Sequence, residues 1–216
     1  MSDLVYSIFE AIIIAFGVFS LIPVYKNWKE SKNRMFIAIF AYIIGVIGYS
    51  FINILTFFLG VDTNVYLVGG LRFGYVLGYM LFTIQFVFML YLRGLTRLYT
   101  LPFIVAFYLM MGNILHPSTM PFIIYATIVS YTPAYFLLRD GKRKRNGLAF
   151  GMGLFFLIWG IGQSIPVEMV MEIFRAIAIY VFFLGTRGFY EKYIFVNQEE
   201  EQKILGTWIA KFVAKE

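Results

Sequence analysis

The chain has 216 residues, of which 61% are apolar and only 14% charged, with a net charge of +6, one histidine and no cysteine. Soluble domains carry about 25% charged residues, so this balance argues against a soluble protein, and the length leaves little room for a separate globular enzyme or nucleic-acid module. The missing cysteines exclude disulfides, thiol nucleophiles and cysteine-ligated metals, and with the scarce histidine and glutamine they fit a thermophilic source.

Charge is confined to short stretches between apolar runs about 17 to 29 residues long, enough to cross a hydrocarbon layer about 30 Å thick. Seven runs are predicted as transmembrane helices: 4–25, 35–60, 66–92, 98–114, 119–138, 147–167 and 169–195. Together they make residues 1–196 an all-α, seven-helix transmembrane domain. The first carries no positive n-region and no small-residue cleavage site, so it reads as a retained helix rather than a signal peptide. Pro166 marks the tight break before the seventh.

Sixteen of the 18 basic residues fall on one side of this arrangement. They are Lys26, Lys29, Lys32 and Arg34 in the first loop, Arg93 and Arg97 after the third run, Arg139 and Lys142 to Arg145 after the fifth, and Arg187, Lys192, Lys203, Lys211 and Lys215 after the seventh. The opposite loops hold Asp62, His116 and Glu168 and no Lys or Arg. The positive-inside rule then predicts an N-terminus outside, a cytoplasmic C-terminus and a multi-pass protein of the cell membrane. Aromatic residues near run ends, Tyr25, Trp28, Tyr99 and Trp208, suit interfacial belts. The Lys142 to Arg145 run reads as a topology determinant touching anionic lipid.

Residues 197–216 differ in character. Asn197 with Glu200 three positions on reads as a capping box, and Ile204, Leu205, Trp208, Ile209, Phe212 and Val213 share one helical face. The expectation is an amphipathic helix at the cytoplasmic interface, or a docking face for a partner subunit.

Either side of the fourth run the triplets look alike. Ile22-Pro23-Val24-Tyr25 answers to Thr132-Pro133-Ala134-Tyr135, both closing a helix before a basic loop. Gly70-Leu71-Arg72-Phe73 answers to Ile173-Phe174-Arg175-Ala176, and Gly48-Tyr49-Ser50 more weakly to Gly162-Gln163-Ser164. With one extra crossing between them these would be parallel repeats in a 3+1+3 plan. In architecture alone that plan is similar to the SWEET and PQ-loop carriers, though neither the first nor the fifth run has a Pro-Gln pair.

Charged groups inside a bilayer cost at least about 2.5 kcal/mol each, which makes them candidates for function. They are Glu10, Arg72, Glu172 and Arg175, joined by neutral Asn53, Asn113, Gln163 and Ser164, all in the outer half of the membrane, with Gln85 deeper. In the third run, Gly70, Gly74 and Gly78 form a stripe for close helix packing. Arg72 lies about 200° from that stripe, above Tyr75, Tyr79, Phe82 and Phe86. Glu172 and Arg175 are three residues apart and can pair, with Ile179 and Phe182 continuing their face. Two alternatives follow. Glu10, Asn53, Arg72, Tyr75, Tyr79, Gln163, Glu172 and Arg175 line an outward pocket for a polar or anionic ligand, or the two arginines and two glutamates are structural ion pairs.

Seven helices with the N-terminus outside invite comparison with microbial rhodopsins. A retinal Schiff base needs a lysine within the seventh helix, and residues 169–191 contain none. The motifs of intramembrane metalloproteases, rhomboids and presenilins are missing as well: the one histidine, His116, precedes a proline in a loop, and no aspartate falls inside a run. No enzyme activity, cofactor, metal or nucleic-acid partner is expected. The sequence favours a receptor-like or sensory module acting through a membrane or cytoplasmic partner, with a small-solute carrier and an accessory or assembly subunit as alternatives.

Overall fold

The computed structural model describes residues 2–59, 66–68, 71–116, 118, 120–165 and 167–195. The expected amphipathic helix at 197–216 lies outside the described residues. Helices dominate: α1 (Ser2–Ser31), α2 (Arg34–Leu59), α3 (Phe73–Leu92), α4 (Leu101–Leu115), α5 (Met120–Lys144), α6 (Gly147–Gln163), α7 (Glu168–Thr186) and a short α8 (Phe189–Tyr193). A hairpin of β1 (Tyr66–Val68) and β2 (Leu71–Arg72) precedes α3, paired antiparallel with Tyr66 opposite Arg72. Among the described residues four helices are long and apolar enough to cross a membrane, through Leu4–Ser31, Met35–Leu59, Met120–Lys144 and Met169–Thr186. Val76–Tyr91, Leu101–Leu115 and Gly147–Gln163 are shorter apolar helices. At 1.5 Å per residue the 15 residues of α4 reach about 22 Å, less than the hydrocarbon thickness.

The structure corrects several boundaries. The third helix begins at Phe73 rather than 66, so Arg72 sits in β2 and not inside a helix. The reason is local: Gly69-Gly70 is the weakest helix-forming pair in the run, and the Tyr-Leu-Val segment before it favours extended backbone. Gly70, the first of the three expected packing glycines, lies outside the described residues. Pro23 and Pro133 do not close their helices but lie inside them, and α1 and α5 run on to Ser31 and Lys144. The residues Arg139 to Lys144 are therefore the last turns of α5 rather than a loop. The seventh helix stops at Thr186. Gly188, at φ 72°, takes the left-handed conformation that glycine adopts without penalty, and α8 folds back. There Tyr190 donates to the carbonyl of Val181 at 2.9 Å and stacks edge-on against Phe150 of α6.

The helices pack in ring order. α1 lies against α2, α2 against α3, α3 against α5, α5 against α6, α6 against α7, and α7 closes on α1, while α4 rests on the outside of α3 with slight contact to α5. α6 is the most enclosed: Met152, Phe155, Phe156 and Trp159 are all buried, and its glycines admit both neighbours. A Cβ on Gly153 would stand 2.8 Å from the backbone nitrogen of Leu138 in α5, and one on Gly185 of α7 would stand 2.8 Å from the carbonyl oxygen of Gly147. The start of α6 is capped twice. Asn146 accepts from the Ala149 amide at 2.9 Å, and Glu191 of α8 accepts from the Gly147 amide at 2.6 Å, placing a carboxylate at a helix N-terminus.

Polarity is inverted relative to a water-soluble protein. Glu10, Gln85, Glu172 and Arg175 are buried, whereas Phe103, Ile104, Phe107 and Tyr108 on α4 are more than half exposed. An apolar exterior of that extent is unfavourable in water and natural in lipid.

Gly185→Leu forces the α6 and α7 backbones apart, and overpacking of this kind costs about 1–3 kcal/mol. A lowered melting temperature in detergent is the expected result. The same substitution at Gly48, where an added Cβ meets nothing within 4 Å, leaves stability nearly unchanged.

Candidate functional site

The N-terminal half of α1, the C-terminal ends of α2 and α6 and the first turns of α7 lie at one end of the bundle, opposite the basic residues. There Arg175, 1% exposed, reaches inward from α7. Its Nη1 donates to Oε1 of Glu10 at 2.8 Å and to both oxygens of Glu172 at 2.6 Å. Its Nη2 reaches Oε2 of Glu10 at 3.3 Å and Oγ of Ser50 at 3.2 Å. Asn53, one turn beyond Ser50 on α2, donates from Nδ2 to Oε1 of Glu10 at 2.5 Å. The guanidinium also faces the rings of Tyr49 (4.9 Å) and Trp159 (5.2 Å), so aromatic faces take the place of water around the cation. The cluster thus joins α1, α2, α6 and α7.

Helical spacing explains the arrangement. Glu172 and Arg175 pair within one helix face, and Ile179 and Phe182, fully buried, extend that face toward the core. Ser50 and Asn53 are likewise three apart. Charged hydrogen bonds in so dry a setting are strong but do not recover the full cost of desolvation unless each group is satisfied. The Arg175 Nε has no hydrogen-bond partner among the described residues.

Of the residues singled out from sequence, Glu10, Asn53, Glu172 and Arg175 meet at this cluster. Gln163 ends α6 half-buried and does not join it. The side chains of Arg72 and Tyr75 lie outside the described residues. Tyr79, fully buried, belongs to a different contact, between α3, α4 and α5. Its hydroxyl accepts from Asn113 Nδ2 at 3.2 Å, and its ring packs edge-on against Phe122 at 5.1 Å. Gly78 lies there too, where an added Cβ would meet the Phe122 ring at 2.7 Å. Ser50, Tyr49 and Trp159 were not among the expected site residues. The spacing of Tyr49 and Ser50 to Asn53 was the available signal for the first two.

A second polar link sits deeper. Tyr42 of α2 donates to Oε1 of Gln85 on α3 at 3.2 Å, and Gln85 Nε2 donates to the carbonyl of Val129 on α5 at 3.0 Å. Val129 lies four residues before Pro133, so its carbonyl is the acceptor that proline, lacking an amide hydrogen, cannot serve. Gln85 supplies the missing donor from a neighbouring helix, as buried backbone groups in lipid require.

Among the described residues no group of three or more His, Cys, Asp or Glu side chains is placed to hold a metal ion. The chain matches no family model, and no curated protein or solved structure shows a match to it.

Arg175→Met leaves Glu10 and Glu172 buried without their guanidinium, a change that typically costs about 3–5 kcal/mol. Glu10→Gln, which keeps an acceptor for Asn53 and Arg175, is expected to cost less. Unfolding of both variants in detergent, followed by far-UV circular dichroism, checks the order.

Proposed function

We propose that the chain is a receptor-like seven-helix module of the cell membrane, with its N-terminus outside and its C-terminus in the cytoplasm, that acts through a partner protein. The orientation rests on the one-sided distribution of Lys and Arg. All seven helices cross in this reading, the three short ones in a locally thinned or tilted arrangement. The observation that carries the sensory role is the Arg175 cluster: a dry knot of charge that ties α1 to α7 near the outer face. A polar or anionic solute entering from outside competes with Glu10 for the guanidinium, for which Nε is a further donor. Loss of the Glu10 bonds loosens α1 from α7, and long stiff helices carry the change to the basic, cytoplasmic end. Ligand and tie then bias one two-state element, which is the physical content of such coupling. In this reading the signal passes to a partner protein.

A second reading, a carrier, is favoured by the ring itself. The order α1, α2, α3, α5, α6, α7 sets the two triplets in equivalent positions, with Pro23 and Pro133 inside corresponding helices. Both polar links, Glu10 to Arg175 and Gln85 to Val129, join one triplet to the other. The inward burial of Glu172 and Arg175 weighs against the accessory-subunit reading, which would turn them toward a foreign chain or lipid.

Gentle purification from native membranes with mass spectrometry separates the readings. A stoichiometric signalling partner, together with a thermal shift produced by small anions that grows in Glu10→Gln and is lost in Arg175→Met, supports the receptor. Purification alone, with solute flux in liposomes, supports the carrier instead. A fluorescent reporter fused to the C-terminus is expected to light up in the cytoplasm, and an alkaline phosphatase fusion there to stay inactive.

A further inference from the structure

At the basic end of the bundle, α1 and α2 together line a groove of about 360 Å³ through Val24, Tyr25, Trp28, Phe36, Ile37 and Phe40. Its lining is apolar, and Tyr25 and Ile37 are about half exposed, so it opens on the outer surface of the bundle rather than into the core. Rigid rings shape it: Tyr25 packs against Trp28 at 5.6 Å and against Phe40 at 6.5 Å. Such a slot in a membrane-facing wall suits an extended hydrocarbon chain.

What lies directly beyond the groove is cationic. Lys29 follows Tyr25 by four residues and so continues the groove's face by one turn toward the interface, and Lys32, at φ 55°, lies just past the end of α1. Lys32 turns back over the groove wall, its Nζ 5.3 Å from the Trp28 ring. Lys26, by contrast, pairs with Glu30 at 3.9 Å, and among the described residues neither Lys29 nor Lys32 has a carboxylate within ion-pair distance. The polar side chains between the helices are occupied locally. Ser31 donates to the Asn27 carbonyl at 2.7 Å, and Asn33 accepts from the Met35 amide at 2.9 Å. Two lysines at the mouth of an apolar slot are complementary to one kind of molecule, a chain with an anion at its head.

We propose that this groove is a binding site for a single anionic phospholipid, with an acyl chain between α1 and α2 and the phosphate held by Lys29 and Lys32. The site rests on the membrane reading of the fold but on neither the receptor nor the carrier reading. Occupied, it fills the slot between α1 and α2 and fastens their basic ends to the leaflet. Diffuse attraction of anionic lipid to every cytoplasmic lysine and arginine is a separate, weaker effect, and the test must tell the two apart.

The full chain is reconstituted in nanodiscs of phosphatidylcholine, with or without phosphatidylglycerol, and melting temperature and retained lipid (by native mass spectrometry) are read together. The site predicts one phosphatidylglycerol retained per chain and a higher melting temperature in its presence, as for any ligand that binds the folded state alone. Lys29→Gln/Lys32→Gln abolishes both effects. Ile37→Trp, which fills the groove without changing charge, abolishes them too, whereas Arg143→Gln/Lys144→Gln, which removes equal charge elsewhere, preserves them. Equal losses in the Arg143/Lys144 control would overturn the site in favour of diffuse surface charge. A matching shift from inorganic phosphate would reduce it to a free-anion site, and a retained second copy in place of lipid would make the groove a dimer contact. Release of the chain from native membranes by alkaline carbonate would refute the membrane reading itself, an outcome independent of the others.

Discussion

One guanidinium decides how this bundle closes. Arg175 is buried within an assembly whose exterior is apolar, and burying its charge is tolerable only because Glu10, Glu172, Ser50 and two aromatic faces surround it. Glu172 is local to α7, but Glu10 comes from the far end of the sequence, 165 residues away. Satisfying Arg175 therefore requires α1 to lie against α7, and that contact turns a row of helices into a ring. Phe16 completes it lower down, packing against Tyr180 and Phe183 at 5.1 and 5.3 Å. The ionic contact specifies the pairing, and apolar and aromatic packing fills the remainder of the seam.

The cost of an unserved backbone carbonyl in a dry interior accounts for the deeper link. Pro133 is placed within α5 at the cost of one backbone bond, and the orphaned Val129 carbonyl would be expensive in a hydrocarbon setting. Gln85 answers it from α3 while accepting from Tyr42 on α2. Three helices are thereby held at a fixed depth by a side chain whose immediate neighbours in sequence, Ile84 and Phe86, are apolar. Along α6 the glycines let the backbones of α5 and α7 close in, so packing at those contacts is dominated by shape.

Much of this was legible in the sequence, though unevenly. Long apolar runs separated by basic clusters identified the helices of a membrane protein, because length and composition alone decide what can cross lipid. The pairing of Glu172 with Arg175 followed from helical spacing, and the relevance of Glu10 and Asn53 from the cost of polarity in an apolar run. That Glu10 would meet Arg175 was not legible, since partner choice depends on which helices become neighbours. Ends were the weaker part. Pro23 and Pro133 resembled stops but lie within helices, because a neighbour can serve the carbonyl that proline frees, as Gln85 does. The apolar run 66–92 masks the Gly69-Gly70 pair, and the backbone of Arg72 belongs to a hairpin rather than to the helix. The turn at Gly188 was hidden for a similar reason: Phe189 to Phe195 continues the apolar character of α7 while the chain reverses.

The most direct test of the central claim is a double-mutant cycle between Glu10→Gln and Arg175→Met, read as unfolding free energy in detergent. If Arg175 and Glu10 hold α1 to α7, the two losses are strongly non-additive, with a coupling of about 1–3 kcal/mol, within the range found for residues in one buried network. Additive losses would mean that the two residues contribute independently, and that the ring is closed by aromatic and aliphatic packing alone.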